Sequence, residues 1–145
     1  RGLPAVALRY FTVYGPRQRP DMGFHRFFEA ARRGEPVTVY GDGRQTRDFT
    51  YVDDAVSATI ASLTRPVPEF AYNVGGGHRV SLNEVLDAMG RIVGRAIERK
   101  HVEPQQGDPR DTASDTRLAR RDLGYEPRTS LEEGLRRQWE WQRNT

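Results

Sequence analysis

The sequence predicts an α/β fold. Short β-branched or aromatic runs alternate with amphipathic helical stretches along the whole chain. Two Ser-x-x-Glu capping boxes, Ser81 to Glu84 and Ser130 to Glu133, open helical patterns. Glycines stand just past predicted helix ends, at Gly34, Gly94 and Gly124.

Taken in order, Ala5 to Phe11 reads as a short buried strand, ended by Tyr14-Gly15-Pro16. A loop rich in proline and charge runs to Asp21. From Met22 to Arg33, Phe24, Phe27, Phe28 and Ala31 recur at helical spacing, with Gly34 as the C-terminal glycine. Val37 to Tyr40 is a β-branched strand, halted by Gly41-Asp42-Gly43. An extended piece from Asp48 to Val52 leads to Asp53 and Asp54, either of which can cap the next helix. That helix carries Val56, Ile60 and Leu63 on one face and stops before Pro66. Phe70 to Val74 is a further strand, and Gly75-Gly76-Gly77 a tight strand-to-helix turn. The first capping box opens a helix with Val85, Leu86, Met89 and Ile92 at 3.6-residue spacing. Ile97 to Val102 reads as a strand, residues 103–108 as a polar loop, and Asp115 as the cap of a short helix through Leu118 to Asp122. The second capping box opens a last helix presenting Leu135 and Trp139.

Composition removes several classes of function. With no cysteine among 145 residues, disulfide scaffolds, thiol catalysis, Cys-ligated zinc and iron–sulfur clusters are excluded. No apolar run approaches the ~18 residues that cross a membrane, so no membrane partner is expected. The net charge is +3, and Lys100 is the only lysine among many arginines. Guanidinium forks suit phosphate and carboxylate. Acidic residues are scattered among the arginines, however, as in Arg120-Arg121-Asp122, which disfavours nucleic acid as a partner. The three histidines, His25, His78 and His101, lie far apart and show no metal-ligand spacing, and His25 reads as a helix-surface residue. Gly75 to Val80 lacks the last glycine of a dinucleotide fingerprint, and no Tyr-x-x-x-Lys pair or Gly-x-Ser-x-Gly elbow is present. No acid–base or nucleophile set emerges, so no catalytic residue is assigned within this chain.

Two long motifs are far more particular. One runs from Leu8 through Arg9-Tyr10-Phe11-Thr12-Val13-Tyr14-Gly15-Pro16-Arg17-Gln18-Arg19-Pro20-Asp21 to Met22. The other runs from Tyr40 through Gly41-Asp42-Gly43-Arg44-Gln45-Thr46-Arg47-Asp48-Phe49-Thr50-Tyr51 to Asp54. Together they resemble the C-terminal half of the NAD-dependent nucleotide-sugar epimerases and dehydratases, the extended short-chain dehydrogenase/reductase family. The resemblance continues through Tyr72-Asn73-Val74-Gly75, Gly107-Asp108, Leu123-Gly124-Tyr125-Glu126-Pro127 and Ser130 to Leu135, and covers nearly the whole chain in order.

The resemblance implies the C-terminal part of a Rossmann-type fold with its smaller α/β substrate domain. Residues 1–16 would be a late Rossmann strand, 17–50 a substrate-domain segment, 51–77 a return to the Rossmann part, and 78–145 the substrate-binding domain. The glycine-rich NAD loop and the catalytic Tyr/Lys pair of the family would lie in an N-terminal half that is missing here. This chain alone would then be inactive and would need that half as its partner. The intact protein would be a cytoplasmic homodimer that inverts C4 of a UDP-sugar by transient oxidation to a 4-keto intermediate, with NAD as cofactor.

Carried over residue by residue, the resemblance implies that Arg47 grips the diphosphate, in competition with a salt bridge to Asp48 or Asp53. Val37, Thr38 and Tyr40 would border the uracil, and Asp108 would accept the ribose hydroxyls. Thr12 stands where many relatives have Asn, and Gln105 where they have Arg. Both departures, with Arg19-Pro20-Asp21-Met22, resemble UDP-glucuronic acid 4-epimerases. Thr12 would donate to the sugar carboxylate and Arg19 would close over the sugar; Gln105, counted among the substrate-binding residues, would lack the phosphate contact of the relatives' Arg, for which Arg17 or Arg110 would be the substitutes. A 4,6-dehydratase, a UDP-glucose 4-epimerase and a non-catalytic nucleotide-binding module remain open alternatives.

Overall fold

The computed structural model describes residues 5–145; residues 1–4 at the head of the expected late Rossmann strand lie outside them. Eight strands and five helices occur among the described residues. In order they are β1 (Ala7–Tyr10), β2 (Val13–Tyr14), α1 (Gly23–Arg33), β3 (Val37–Tyr40), β4 (Thr46–Asp48), β5 (Thr50–Tyr51) and α2 (Val52–Thr64). There follow β6 (Ala71–Val74), β7 (Arg79–Ser81), α3 (Leu82–Val93), β8 (Arg99–Val102), α4 (Arg117–Leu123) and α5 (Leu131–Arg143). The α/β expectation holds. β1–β6, β2–β5 and β3–β8 pair parallel, while β4–β7 pairs antiparallel. Parallel partners need a long crossover between them, which is why each of these ladders joins segments distant in sequence.

Two hydrophobic clusters organise the chain. The first joins Phe24, Phe28 and Ala31 of α1 to Val37 and Val39 of β3, Val85, Leu86 and Met89 of α3, and Leu135 of α5. β3 shows the two-residue period of a half-buried strand: Val37 and Val39 are 2% and 0% exposed, whereas Thr38 and Tyr40 face outward. The second cluster joins Ala58 of α2, Tyr72 and Val74 of β6, and Ala119 and Leu123 of α4 with Tyr125. The expected segments 1–16 and 51–77 thus meet through β1 and β6, while α4 leaves the 78–145 segment to pack on the same layer.

Several elements differ from the sequence-based expectation. α2 begins at Val52 with Tyr51 as its cap, so Asp53 and Asp54 lie within the first turn, where carboxylates favour the helix dipole. Asp54 is buried there and accepts the backbone N–H groups of Arg128 and Thr129 at 3.0 and 3.2 Å. The apolar face of α2 points away from the rest of the chain: Val56, Ile60 and Leu63 are 49%, 56% and 81% exposed. Its small residues Ala55, Ala58 and Ser62 turn inward instead, where α2 lies against α4 and the β2–β5 ladder.

The cap of α4 is Thr116, and Asp115 lies one residue outside, accepting the Arg117 N–H at 3.1 Å. The triple glycine leads into β7 before α3 begins. β2, β4 and β7 are only two or three residues long, too short to show a period in sequence. His25 is half-buried, its ring 6.3 Å from that of Trp141, because α5 packs across α1.

Candidate functional site

A cavity of about 850 Å³ lies between α1, β3 and β4, lined among others by Phe27, Thr38, Tyr40, Arg47, Phe49 and Asp108. Its polar wall is the open edge of β3. In the β3–β8 ladder the Val37 and Gly41 N–H groups donate to Glu98 and Val102 carbonyls, both at 2.8 Å. The parallel pattern alternates, so the backbone N–H and C=O of Thr38 and Tyr40 face the other way. The Tyr40 carbonyl accepts from Gln45 Nε2 at 3.0 Å. Thr38 is left offering one backbone donor and one acceptor along the cavity, beside the outward-facing ring of Tyr40.

Arg47 sits on β4, whose two edges place it. One edge pairs with β7, setting Arg47 opposite Val80. Along the other, Thr46 N–H donates to the Arg110 carbonyl at 2.9 Å and Thr112 N–H to the Thr46 carbonyl at 3.1 Å. This second edge draws the 103–112 loop along β4 and brings Asp108 onto Arg47. Arg47 Nη2 donates to the Asp108 carboxylate, and Nη1 donates to the Thr46 and Arg110 carbonyls at 2.8 and 3.3 Å. Three of the five guanidinium N–H donors are thereby engaged; Nε–H and the second Nη2–H have no protein partner among the described residues. The ion-pair partner is neither Asp48 nor Asp53. Asp48 is buried and accepts the Gly76 N–H at 2.6 Å together with both the N–H and the hydroxyl of Ser114, whereas Asp53 faces Arg137 at 3.8 Å.

A second, mostly apolar cavity of about 320 Å³ is formed by Val13 to Arg19 with Met22 and Val52. Arg19 lies here, paired with Asp21 at 2.9 Å. Burial, with Asp54 and Tyr51 nearby, pushes the hydroxyl of Tyr14 well above the ordinary tyrosine range. It therefore stays protonated and supplies no base. Thr12 and Gln105 line neither cavity: Thr12 is exposed with its carbonyl accepting the Thr50 N–H at 3.1 Å, and the Gln105 carbonyl closes the turn to Asp108 N–H at 3.2 Å. The structure thus gathers Val37, Thr38, Tyr40, Arg47 and Asp108 at one cavity and Arg19 at another, with the Val37 side chain turned into the core. Phe27, Gln45 and Phe49 join them unforeseen; the only signal in sequence was an apolar helix face and an aromatic beside Asp48.

The sequence model of the NAD dependent epimerase/dehydratase family matches residues 1–75. The chain belongs to this family. A UDP-glucuronate 4-epimerase of Thermodesulfobacterium geofontis is 40% identical over 97% of the chain and 43% of its own length. An uncharacterized UDP-glucose epimerase of Bacillus subtilis, YtcB, is 43% identical over 92% of the chain and 43% of its own length. The solved UDP-glucuronic acid 4-epimerase of Bacillus cereus, in complex with UDP-glucuronic acid and NAD, superimposes with a TM-score of 0.91 at 38% identity, covering 98% of this chain and 46% of that one. The chain therefore spans a little under half the length of these relatives.

Family members use NAD, yet the residues present do not fit its pyrophosphate. The triple-glycine loop after β6, Gly75 to Gly77, has its Gly76 N–H taken by the buried carboxylate of Asp48. A Cβ at Gly76 would also collide with the backbone carbonyl of Phe49. These glycines serve close backbone packing, and an anion could not approach beside Asp48. Among the described residues no group of His, Asp or Glu is placed to hold a metal ion, and no helix is long and apolar enough to cross a membrane.

Proposed function

We propose that this chain is the part of an NAD-dependent epimerase that grips a UDP-sugar, UDP-glucuronate first, while C4 is inverted through a 4-keto intermediate. The observation carrying the reading is the Arg47–Asp108 pair on the cavity rim beside the open edge of β3. A nucleoside diphosphate presents anionic oxygens and ribose hydroxyls a few bonds apart. The free N–H donors of Arg47 suit the first, as charge-assisted hydrogen bonds, and the remaining acceptor capacity of Asp108 suits the second. The donor and acceptor of Thr38 complement an imide edge such as that of uracil, and Tyr40 offers an aromatic wall. Val37 contributes through the strand it anchors.

At the sugar end, Thr12 is assigned to the carboxylate and Arg19 to closure over the sugar; Gln105 is kept as a substrate-binding residue that lacks the phosphate contact of the arginine found in many relatives. The hydride chemistry belongs to NAD bound outside this chain, and the chain's own residues do the positioning. Grip on the nucleotide, remote from the reacting carbon, lets the sugar turn without leaving. The partner on the bare face of α2 is read as the nucleotide-binding half of the same protein, and the intact enzyme as a cytoplasmic homodimer.

The test is Arg47→Ala in the full-length enzyme. Losing charge-assisted hydrogen bonds of about 1.5–3 kcal/mol should weaken UDP and UDP-glucuronate alike, by roughly ten- to a hundredfold. Unchanged affinity for UDP, read by calorimetry, would overturn the phosphate assignment.

A further inference from the structure

We infer that Gln138 of α5 is a positioning residue for the sugar end of the site, acting through Gln18; this rests on the function proposed above. Gln138 is 0% exposed although it carries a primary amide. Such a group costs stability when buried unless its hydrogen bonds are made. Here both ends of the amide are spent on the loop after β2. The Gly15 N–H donates to Gln138 Oε1 at 2.9 Å, and Gln138 Nε2 donates to Gln18 Oε1 at 3.0 Å. Gln18 Oε1 also accepts the His25 N–H at 2.9 Å, and Gln18 Nε2 donates to the Val13 carbonyl at 3.3 Å.

The orientation of both amides follows from chemistry. Backbone N–H groups can only donate, so Gly15 fixes the oxygen of Gln138 and His25 fixes the oxygen of Gln18. The remaining nitrogen of Gln138 then meets the oxygen of Gln18 without conflict. Neither Glu, which lacks the donor, nor Leu or Met, which lack both groups, can close this chain.

The spacing on α5 shows how it reaches the loop. Gly134, Gln138 and Gln142 recur every four residues and so share one face. A Cβ at Gly134 would come within 2.7 Å of the Tyr51 ring, so glycine there lets α5 approach β2 and β5 closely. Gln138 holds Gly15 and Gln18, and Gln142 Nε2 donates to the His25 carbonyl at 3.0 Å. The segment between these anchors carries Arg19, borders the second cavity along Val13 to Arg19, and reaches the first at Pro20 and Gly23. The nucleotide end of the first cavity, around Thr38, Arg47 and Asp108, makes none of these contacts. A clamp on the loop should therefore act on the sugar and spare the nucleotide.

The experiment uses the full-length enzyme with Gln138→Leu, Gln18→Leu and the double variant. Each single variant is expected to lower kcat/KM for UDP-glucuronate at least tenfold while keeping the Kd for UDP within twofold of wild type. The double variant should be no worse than the poorer single one, because each change breaks the same chain. Gln138→Glu, which keeps the acceptor and loses the donor, should resemble Gln138→Leu. Equal weakening of UDP and UDP-glucuronate would mark general damage and overturn the inference, as would full activity in both single variants. Gln18 is only part-buried, so Gln18→Leu decides the matter if Gln138→Leu does not fold. Amide exchange at Gly15 needs no substrate: it should be slow in wild type and accelerate at least tenfold in Gln138→Leu, and unchanged protection would also overturn the clamp. A wild-type enzyme that binds UDP but turns over no UDP-sugar would count against the proposed function, with Gly15 exchange still judging the clamp.

Discussion

Around Phe28, the apolar faces of α1, α3 and α5 turn toward one another and close over β3, whereas around Tyr72 the layer made by β1, β6, α2 and α4 is covered on one side only. The same elements leave Tyr10, Val56, Ile60, Leu63 and Phe70 exposed. β1 also keeps one edge unpaired among the described residues. Parallel sheets occur almost only with both faces covered, and contiguous apolar patches mark interaction sites. The first region is finished by residues of this chain; the second leaves apolar side chains of α2 bare. The candidate nucleotide cavity is built on the finished region, between α1, β3 and β4.

Breaking the finished region should cost most. Phe28→Ala removes a 0% exposed ring from the first cluster and is expected to destabilise by about 3–5 kcal/mol in denaturant unfolding. A loss near zero would show that this cluster is not the stabilising one. Next comes the bare face. Ile60→Ser with Leu63→Ser should shift the stability of the 145-residue chain by no more than about 0.5 kcal/mol. In the full-length protein the same pair should cost about 1.5–3 kcal/mol for each side chain that becomes buried. Equal effects in both settings would erase the contrast between the regions.

Helix caps give a smaller contrast. Ser130 accepts the Glu133 N–H at 3.2 Å and Ser81 the Glu84 N–H at 3.2 Å, while neither α1 in the first region nor α2 in the second has a side-chain cap. Ser130→Ala should cost about 1 kcal/mol, read from the denaturation midpoint.

The last comparison is one of pH. Burial pushes the hydroxyls of Tyr14, in the first region, and Tyr125, in the second, far above their ordinary value of about 10. Both groups are neutral when protonated, and the folded state holds the proton more tightly. Their contribution is fully present below pH about 10 and is lost as pH rises above it. Denaturation midpoints should therefore fall above that pH, and less steeply in Tyr14→Phe or Tyr125→Phe.

α1, β3, α3 and α5 were legible in the sequence, because a helical period with a cap at one end and glycine at the other, or a β-branched run between turns, is a local signal. Arg47 and Asp108 were legible only as members of a family pattern. Their contact was not, since 60 intervening residues separate them and an edge of β4 brings them together. The face of α2 shows the same division. That Val56, Ile60 and Leu63 share a face follows from the helical period alone; that the face looks outward follows from the packing of Ala55, Ala58 and Ser62 against α4 and the β2–β5 ladder. Gly134, Gln138 and Gln142 were likewise visible as a stripe, but what a buried amide bonds to depends on which backbone donors the fold sets beside it. Local periods follow from the geometry of one helix or strand, whereas cavities, ion pairs and clamps need chain segments that meet only after folding.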